Sequence, residues 1–293
     1  MSVQAFKPSR VVLLGARGFI ASTLRKQLET ASIEVLALGS QELDLLSPHA
    51  ASSLASQLRP DDAMVMLSAI TPDKGRDTTA FMNNLTMMQN VCTALAQQPV
   101  SHLVYFSSDA VYGLKDSVVS EASPVGPQDL YGAMHLSREL MARALSGIPT
   151  AIFRVTMVYG PGDTHSSYGP NRFFRAAEKD QKITLFGGGE ELRDHIHVED
   201  VAALTMNCLR DKFTGLLNIA TGVSTSFHAA AKLVAQQFEG VKVVITPRAN
   251  LITYRHYDIS NLIKTFPRFR FTSLSNGIST YRKNSQELSD GRS

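Results

Sequence analysis

Ser108 and Tyr131, with His135 four residues beyond the tyrosine, are the residues whose types and spacing could do chemistry. A tyrosine on a helix with a cation one turn later is a proton-transfer device, because positions i and i+4 share a helix face. A phenol ionises near about pH 10, and a neighbouring ammonium moves that value toward neutrality by favouring phenolate. His135 stands where such a device normally carries lysine. An imidazole with a pKa near 6.5 is only about one-quarter protonated at neutral pH, so phenolate activation is expected to be weak. Ketone reduction suffers least, because it needs the protonated phenol as its acid. Three explanations stay open: a slow or reduction-biased enzyme, another cation nearby in the missing role, or a binding protein that has lost its chemistry.

These residues need a scaffold, and the pattern around them supplies one. Short apolar or β-branched runs at 11–14, 34–38, 63–67, 103–107, 151–155 and 216–219 alternate with amphipathic helical patterns at 18–30, 85–97, 131–145 and 198–209. Alternation of this kind predicts an α/β fold, a Rossmann-type doubly wound parallel sheet with helices on both faces. Asp129 is placed to cap the helix that starts near Tyr131, and Gly147 with Pro149 to stop it. After Val158 the chain becomes irregular and glycine-rich, through Gly160, Gly162, Gly169-Pro170 and the cluster Gly187-Gly188-Gly189. A smaller, discontinuous C-terminal substrate lobe is therefore expected. The division reads as 1–160 for the dinucleotide-binding domain with 198–221 returning to it, 161–197 and 222–283 for the lobe, and a disordered polar tail over 284–293.

Composition narrows the class. The chain has 293 residues, 44% of them hydrophobic, enough for a substantial core, and a formal charge of +3. That charge is too small and dispersed to argue for nucleic acid, although residues such as Arg248, Arg255, Arg268 and Arg270 make the last fifth locally basic. No apolar run approaches the roughly 18 residues of a membrane span, and residues 1–10 lack the apolar stretch of a signal peptide. Cys92 and Cys208 lie in apolar helical patterns without metal-ligand spacing, as buried free thiols do. A cytoplasmic protein is expected.

Gly15-Ala16-Arg17-Gly18-Phe19-Ile20-Ala21 follows one predicted strand and opens a predicted helix, the context that a dinucleotide fingerprint requires. Gly15 permits the tight turn, Gly18 lets the backbone approach a pyrophosphate at the helix N-terminus, and Ala21 allows close packing. About twenty residues on, at Leu38-Gly39-Ser40, no acid stands where an NAD enzyme usually holds the adenosine ribose. Arg17 and Ser40 could receive a 2′-phosphate, which favours NADP; Glu42 or Asp44 could instead supply the acid from the next loop, which favours NAD.

With these residues placed, the chain resembles an extended short-chain dehydrogenase/reductase of the NAD(P)-dependent epimerase/dehydratase family, from about Arg10 to Tyr281. The resemblance is carried by the glycine turn, Ser107-Ser108-Asp109-Ala110-Val111-Tyr112-Gly113, Tyr131-Gly132, and Arg154 with Tyr159-Gly160-Pro161-Gly162-Asp163. Phe186-Gly187-Gly188-Gly189 and Arg193-Asp194-His195-Ile196-His197 extend it. It implies a nucleotide-sugar substrate, an NADP or NAD cofactor, and homodimers through a four-helix bundle of the helices beginning near Leu85 and Tyr131. It makes Tyr131 the acid/base, Ser108 the holder of the substrate oxygen and His135 a ligand of the nicotinamide ribose. Gly15, Arg17, Gly18, Phe19, Ile20, Ser40 and Asp44 would bind the rest of the cofactor, with Tyr131 and His135. Asp109, Asn171, Arg193 and Arg255 would join Ser108 in holding the substrate.

Members that eliminate water from a sugar carry Thr-Asp-Glu where this chain has Ser108-Asp109-Ala110, and some 3,5-epimerising reductases carry cysteine at the last position. What remains is hydride chemistry: a keto-sugar reductase or a 4-epimerase. The rival is a catalytically impaired binder of dinucleotide or nucleotide sugar. His195 and His197 alternate with Asp194 along an extended stretch and are expected to be structural rather than metal ligands. Asn84 and Asn90 are expected to fix backbone near the cofactor.

Overall fold

The computed structural model describes residues 8–113, 118–163, 169–248 and 251–290, with residues 283–290 as backbone only. The chain divides into two compact units. One comprises Met1–Gly113, Pro124–Val155 and Ala202–Asn218; the other comprises Leu114–Ser123, Thr156–Val201 and Ile219–Ser293.

In the first unit the elements are β1 (Arg10–Leu14), α1 (Phe19–Thr30), β2 (Glu34–Leu38), α2 (Ala50–Ala55), β3 (Ala63–Met66), α3 (Thr78–Gln97) and β4 (His102–Ser108). A short 3-10 turn, Asp109–Val111, follows β4. The chain passes through β5 (Val118–Val119), which belongs to the second unit, and returns as α4 (Leu130–Arg143) and β6 (Thr150–Val155). The second unit then holds β7 (Met157–Tyr159), α5 (Pro170–Asp180), β8 (Lys182–Phe186) and β9 (Leu192–His197). Helix α6 (Val198–Asp211) leads to β10 (Gly215–Ile219), and the second unit is completed by β11 (Ser224–Ser226), α7 (Phe227–Ala235), β12 (Lys242–Thr246), β13 (His256–Tyr257), α8 (Ser260–Thr265) and α9 (Leu274–Asp290).

Six strands form one sheet in the order β10-β6-β4-β3-β1-β2. The pairs β2 with β1, β1 with β3, β3 with β4 and β4 with β6 are parallel, so every crossover must cover a face of the sheet. The burial follows: β1 and β3 are buried at every residue, and their neighbours Met87, Met88, Val91 and Leu95 of α3 close one side. This Rossmann-like sheet is the fold expected from the alternation.

The second unit has its own core, in which Phe173, Phe174 and Ala177 of α5 meet Ile183 and Leu185 of β8, Ala230, Ala231 and Val234 of α7, and Ile278 and Tyr281 of α9. Its small sheets pair β11-β9-β7, β12-β8 and β13-β5. The glycine-rich stretch after Val158 thus carries two regular elements, α5 and β8. Gly169 (φ +132°) opens α5 with Pro170 in its first turn, a start signal that reads as a turn until the buried Phe173 and Phe174 are seen behind it. Helix α9 likewise runs through 284–290, where an unstructured tail is expected from polarity alone; Ile278 and Tyr281 anchor its first turns. Residues 291–293 of that expected tail lie outside the described residues.

Candidate active site

The glycine turn joins β1 to α1. Gly15 has φ +87°, its N–H donates to Leu38 O at 2.9 Å, and a Cβ there would lie 2.8 Å from Ser68 N, so only glycine fits. Gly18 caps α1 with extended backbone and no side-chain cap, leaving the first amides of a 12-residue helix to an external acceptor. Phe19 is buried and Ile20 half-buried behind this turn.

At the end of β2 the acid comes from the loop. Glu42 accepts from Gly39 N at 3.0 Å and pairs with Arg17 at 2.7 Å, both side chains being about half exposed. The Gly39 amide, more than Arg17, holds the Glu42 carboxyl below its usual range. Ser40 is exposed, and Asp44 accepts from Leu46 N at 2.9 Å in a local turn. Asn84 bonds the backbone of Ile70 on both its amide atoms, and Asn90 donates to Leu45 O at 2.8 Å.

Ser108 ends β4 and Tyr131 opens α4. Asp129 caps α4 by accepting from Gly132 N at 2.8 Å, and a Cβ on Gly132 would lie 2.2 Å from Ala110 O. That close approach seats the first turn of α4 on the 3-10 turn after Ser108. Ser108 Oγ accepts from Ala110 N at 3.2 Å, and its hydroxyl stands close enough to the Tyr131 phenol to favour phenolate. Burial and then Asp109 push Tyr131 up to about 12, while Ser108 and Arg138 pull it down. Tyr131 is a proton donor at neutral pH.

His135 is 3% exposed, with its ring edge-on to Tyr131 at 4.6 Å between centroids and its Nδ1 2.9 Å from Tyr105 Oη. Burial, and behind it Arg138, lowers its pKa to about 3, so the imidazole is neutral and supplies no charge. Its Nε2 is buried without a partner. With Tyr105 donating to Nδ1, Nε2 carries the proton and presents a donor.

The cation is elsewhere. Arg138 is fully buried, donates to Ser68 O at 2.9 Å and Asn84 Oδ1 at 3.4 Å, and lies 5.4 Å from the Tyr105 ring centroid. It stands seven residues after Tyr131 and three after His135, on the same stripe of α4. The sequence signal for this buried guanidinium is a charge on the apolar stripe containing Met134 and Ala142. Beside it, Glu139 accepts from Ser107 Oγ at 2.6 Å, from Arg154 Nε and Nη2 at 2.8 Å, and from Arg143 at 2.9 Å. This cluster ties α4 to β4 and β6.

The expected substrate residues of the second unit are occupied by their own fold. Asn171 is buried and accepts from Gly160 N at 3.0 Å. Arg193 donates to Thr253 O at 2.9 Å and Leu192 O at 2.8 Å, and its plane lies near Phe227. Arg255 is buried, and its N–H donates to Leu192 O, so Arg193 and Arg255 flank one backbone position. Asp194 accepts from Thr221 N and Oγ1 at 2.9 Å and 3.0 Å; burial raises it to about 6. His195 and His197 are buried at 4% and 5% exposure.

The uncapped α1 terminus, the constrained Gly15 and the orphaned Nε2 of His135 fit a dinucleotide with its pyrophosphate at Gly18 and a ribose at His135. A glycine turn on a parallel sheet, with a Ser–Tyr pair at the end of β4, defines the class of dinucleotide-binding Rossmann-like folds. The chain belongs to the NAD dependent epimerase/dehydratase family, whose profile matches residues 11–220.

Among curated proteins it is 28% identical over 156 residues to an uncharacterized UDP-glucose epimerase, YtcB, of Bacillus subtilis, an alignment covering 51% of this chain and 49% of that one. The chain thus spans about half the length of this relative. Two solved structures share the fold. UDP-glucuronic acid 4-epimerase from Bacillus cereus, in complex with UDP-glucuronic acid and NAD, superposes with TM-score 0.82 at 23% identity over 95% of this chain and 99% of that one. A GDP-L-fucose synthetase from Naegleria fowleri bound to NADP superposes with TM-score 0.85 at 15% identity over 98% and 97%. Among the described residues, no helix is long and apolar enough to cross a membrane.

Proposed function

We propose that the chain reduces the keto group of a nucleotide-linked sugar. The carrying observation is a buried phenol at the start of α4, beside Ser108, whose pKa of about 12 keeps it protonated. A bound dihydronicotinamide supplies the hydride. Ser108 and Tyr131 donate to the carbonyl oxygen, polarising it, and Tyr131 transfers its proton there as the carbonyl carbon is reduced. His135 orients the cofactor ribose through Nε2–H, and Asp109, the next residue after Ser108, opens the 3-10 turn beside it.

The second reading is 4-epimerisation, by oxidation and re-reduction of one sugar carbon. The similarity to the UDP-glucose epimerase favours it, and it needs Tyr131 to accept a proton as well as to give one. NAD is the cofactor favoured by Glu42, whose carboxylate suits ribose hydroxyls and repels a 2′-phosphate while it holds Arg17. The sequence pattern alone leaned to NADP because Glu42 lies beyond the strand end. A homodimer through α3 and α4 is supported by exposed Met82 and Leu140, and a cytoplasmic location by the free thiols Cys92 and Cys208.

The test is cofactor oxidation with NADH and NADPH against UDP-, GDP- and dTDP-linked keto-sugars. Turnover is expected, faster with NADH and nearly flat with pH through neutrality. Saturable cofactor binding with no turnover from about pH 5 to 9 would instead establish the impaired-binder reading.

A further inference from the structure

We propose that Arg138 is the fixed positive charge behind Tyr131, and that position 135 is histidine because a second buried cation one turn away would repel it. This rests on Tyr131 being the proton-transfer group.

The Arg138 guanidinium is fully buried, yet its hydrogen-bond partners are neutral: Ser68 O, Asn84 Oδ1 and the Met134 sulfur. Among the described residues, no carboxylate pairs with it, and its Nε is buried without a partner. A buried charge ordinarily has a counter-ion, and leaving one unpaired is costly. The groups that would answer Arg138 electrostatically are Tyr105 of β4, Tyr131 of α4 and Cys92 of α3, all weak acids. Carboxylates nearby are otherwise engaged. Glu139 is saturated by Ser107, Arg154 and Arg143, and Asp129 caps α4. Asp109, next to Ser108, acts on Tyr131 in the opposite sense to Arg138.

Burial raises all three weak acids, Tyr105, Cys92 and Tyr131. Tyr131 alone stands beside the serine at the end of β4, which favours its phenolate. The missing counter-ion is therefore the phenolate that exists only after Tyr131 has given up its proton. When the Tyr131 O–H bond breaks and an O–H bond forms on the substrate oxygen, the new negative charge stands in the field of Arg138. His135 transmits position rather than charge: it is held by Tyr105, lies edge-on to Tyr131 and is neutral. Arg138 is thus a positioning residue that acts by its charge on Tyr131.

The experiment follows Tyr131 ionisation by 13C NMR of ring-labelled tyrosine in the full chain saturated with NAD+, the resonance being assigned with Tyr131→Phe. Arg138→Met is expected to raise the Tyr131 midpoint by about one pH unit or more, about tenfold less phenolate at a given pH. Arg138→Lys should keep the midpoint close to wild type, a rescue that a packing role would not give. An unchanged midpoint in Arg138→Met, or equal displacement in both variants, overturns the proposal.

Urea unfolding supplies a second arm for the case in which Arg138→Met folds poorly. His135→Lys alone should be destabilised, and adding Arg138→Met to it should recover much of that loss; strictly additive losses overturn the proposal. Neither arm needs a sugar substrate. Full turnover in Tyr131→Phe would remove the underlying reading, whereas lost turnover there with an unmoved midpoint in Arg138→Met would remove this proposal alone.

Discussion

Arg138 and Glu139 are adjacent on α4 and equally buried, but the fold treats their charges in opposite ways. Glu139 is surrounded by donors: one hydroxyl and two guanidinium groups, which together link α4 to β4 and β6. Arg138 meets a carbonyl, an amide oxygen and a sulfur, none of them charged. A satisfied buried charge holds elements in register, and its cost is offset where it stands. An unsatisfied one stores unfavourable energy that only a transient anion can release. On the proposal made above, the difference separates the part of the helix that builds the site from the part that serves its chemistry.

The largest expected effect concerns the satisfied charge. Glu139→Gln leaves Arg154 buried without its carboxylate and should cost about 3–5 kcal/mol in urea unfolding, as the loss of one partner of a buried pair does. A cost below about 1 kcal/mol would mean that the network is not what fixes α4.

A smaller effect is expected in acid. His135 is lowered from 6.5 to about 3, and His195 to about 4, so the folded chain keeps these rings neutral where the unfolded chain protonates them. Their contribution is complete above about pH 6.5 and is lost as the pH falls toward the folded values. Asp194, raised to about 6, works the other way, since its folded carboxyl takes up a proton first. The net expectation is a stability that declines below about pH 6.5, with a shallower decline in His135→Gln measured by urea unfolding at stepped pH. Identical slopes would show that the ring is not held neutral.

The smallest effect distinguishes the two charges most sharply. Arg138→Met removes a charge without a partner and fills the space with an apolar chain, so stability should change by less than about 1 kcal/mol. A loss comparable to that of Glu139→Gln would erase the contrast.

How much of this was legible beforehand depends on the kind of signal. The parallel strands could be read because burial on both faces makes them continuous apolar runs, as in Val11 to Leu14 and Ala63 to Met66. Asp129 and the Ser108–Tyr131 pair were readable from capping chemistry and motif order. Helix α5 was not, because Gly169-Pro170 is as good a turn as a helix start until Phe173 and Phe174 find a core. Glu42 was weighed against Arg17 as a ribose ligand, but their pairing at 2.7 Å needed the folded loop. Arg138 was hidden for a physical reason: an arginine on a helix stripe usually snorkels to solvent, and only three-dimensional packing shows one that cannot.

Tyr131→Phe tests the central claim most directly, read by hydride transfer from NADH to the best nucleotide keto-sugar together with cofactor affinity. The account predicts that turnover falls by at least about a hundredfold while cofactor affinity stays within about twofold, since the phenol moves a proton and His135 with the glycine turn holds the dinucleotide. Turnover retained at the wild-type rate would contradict it.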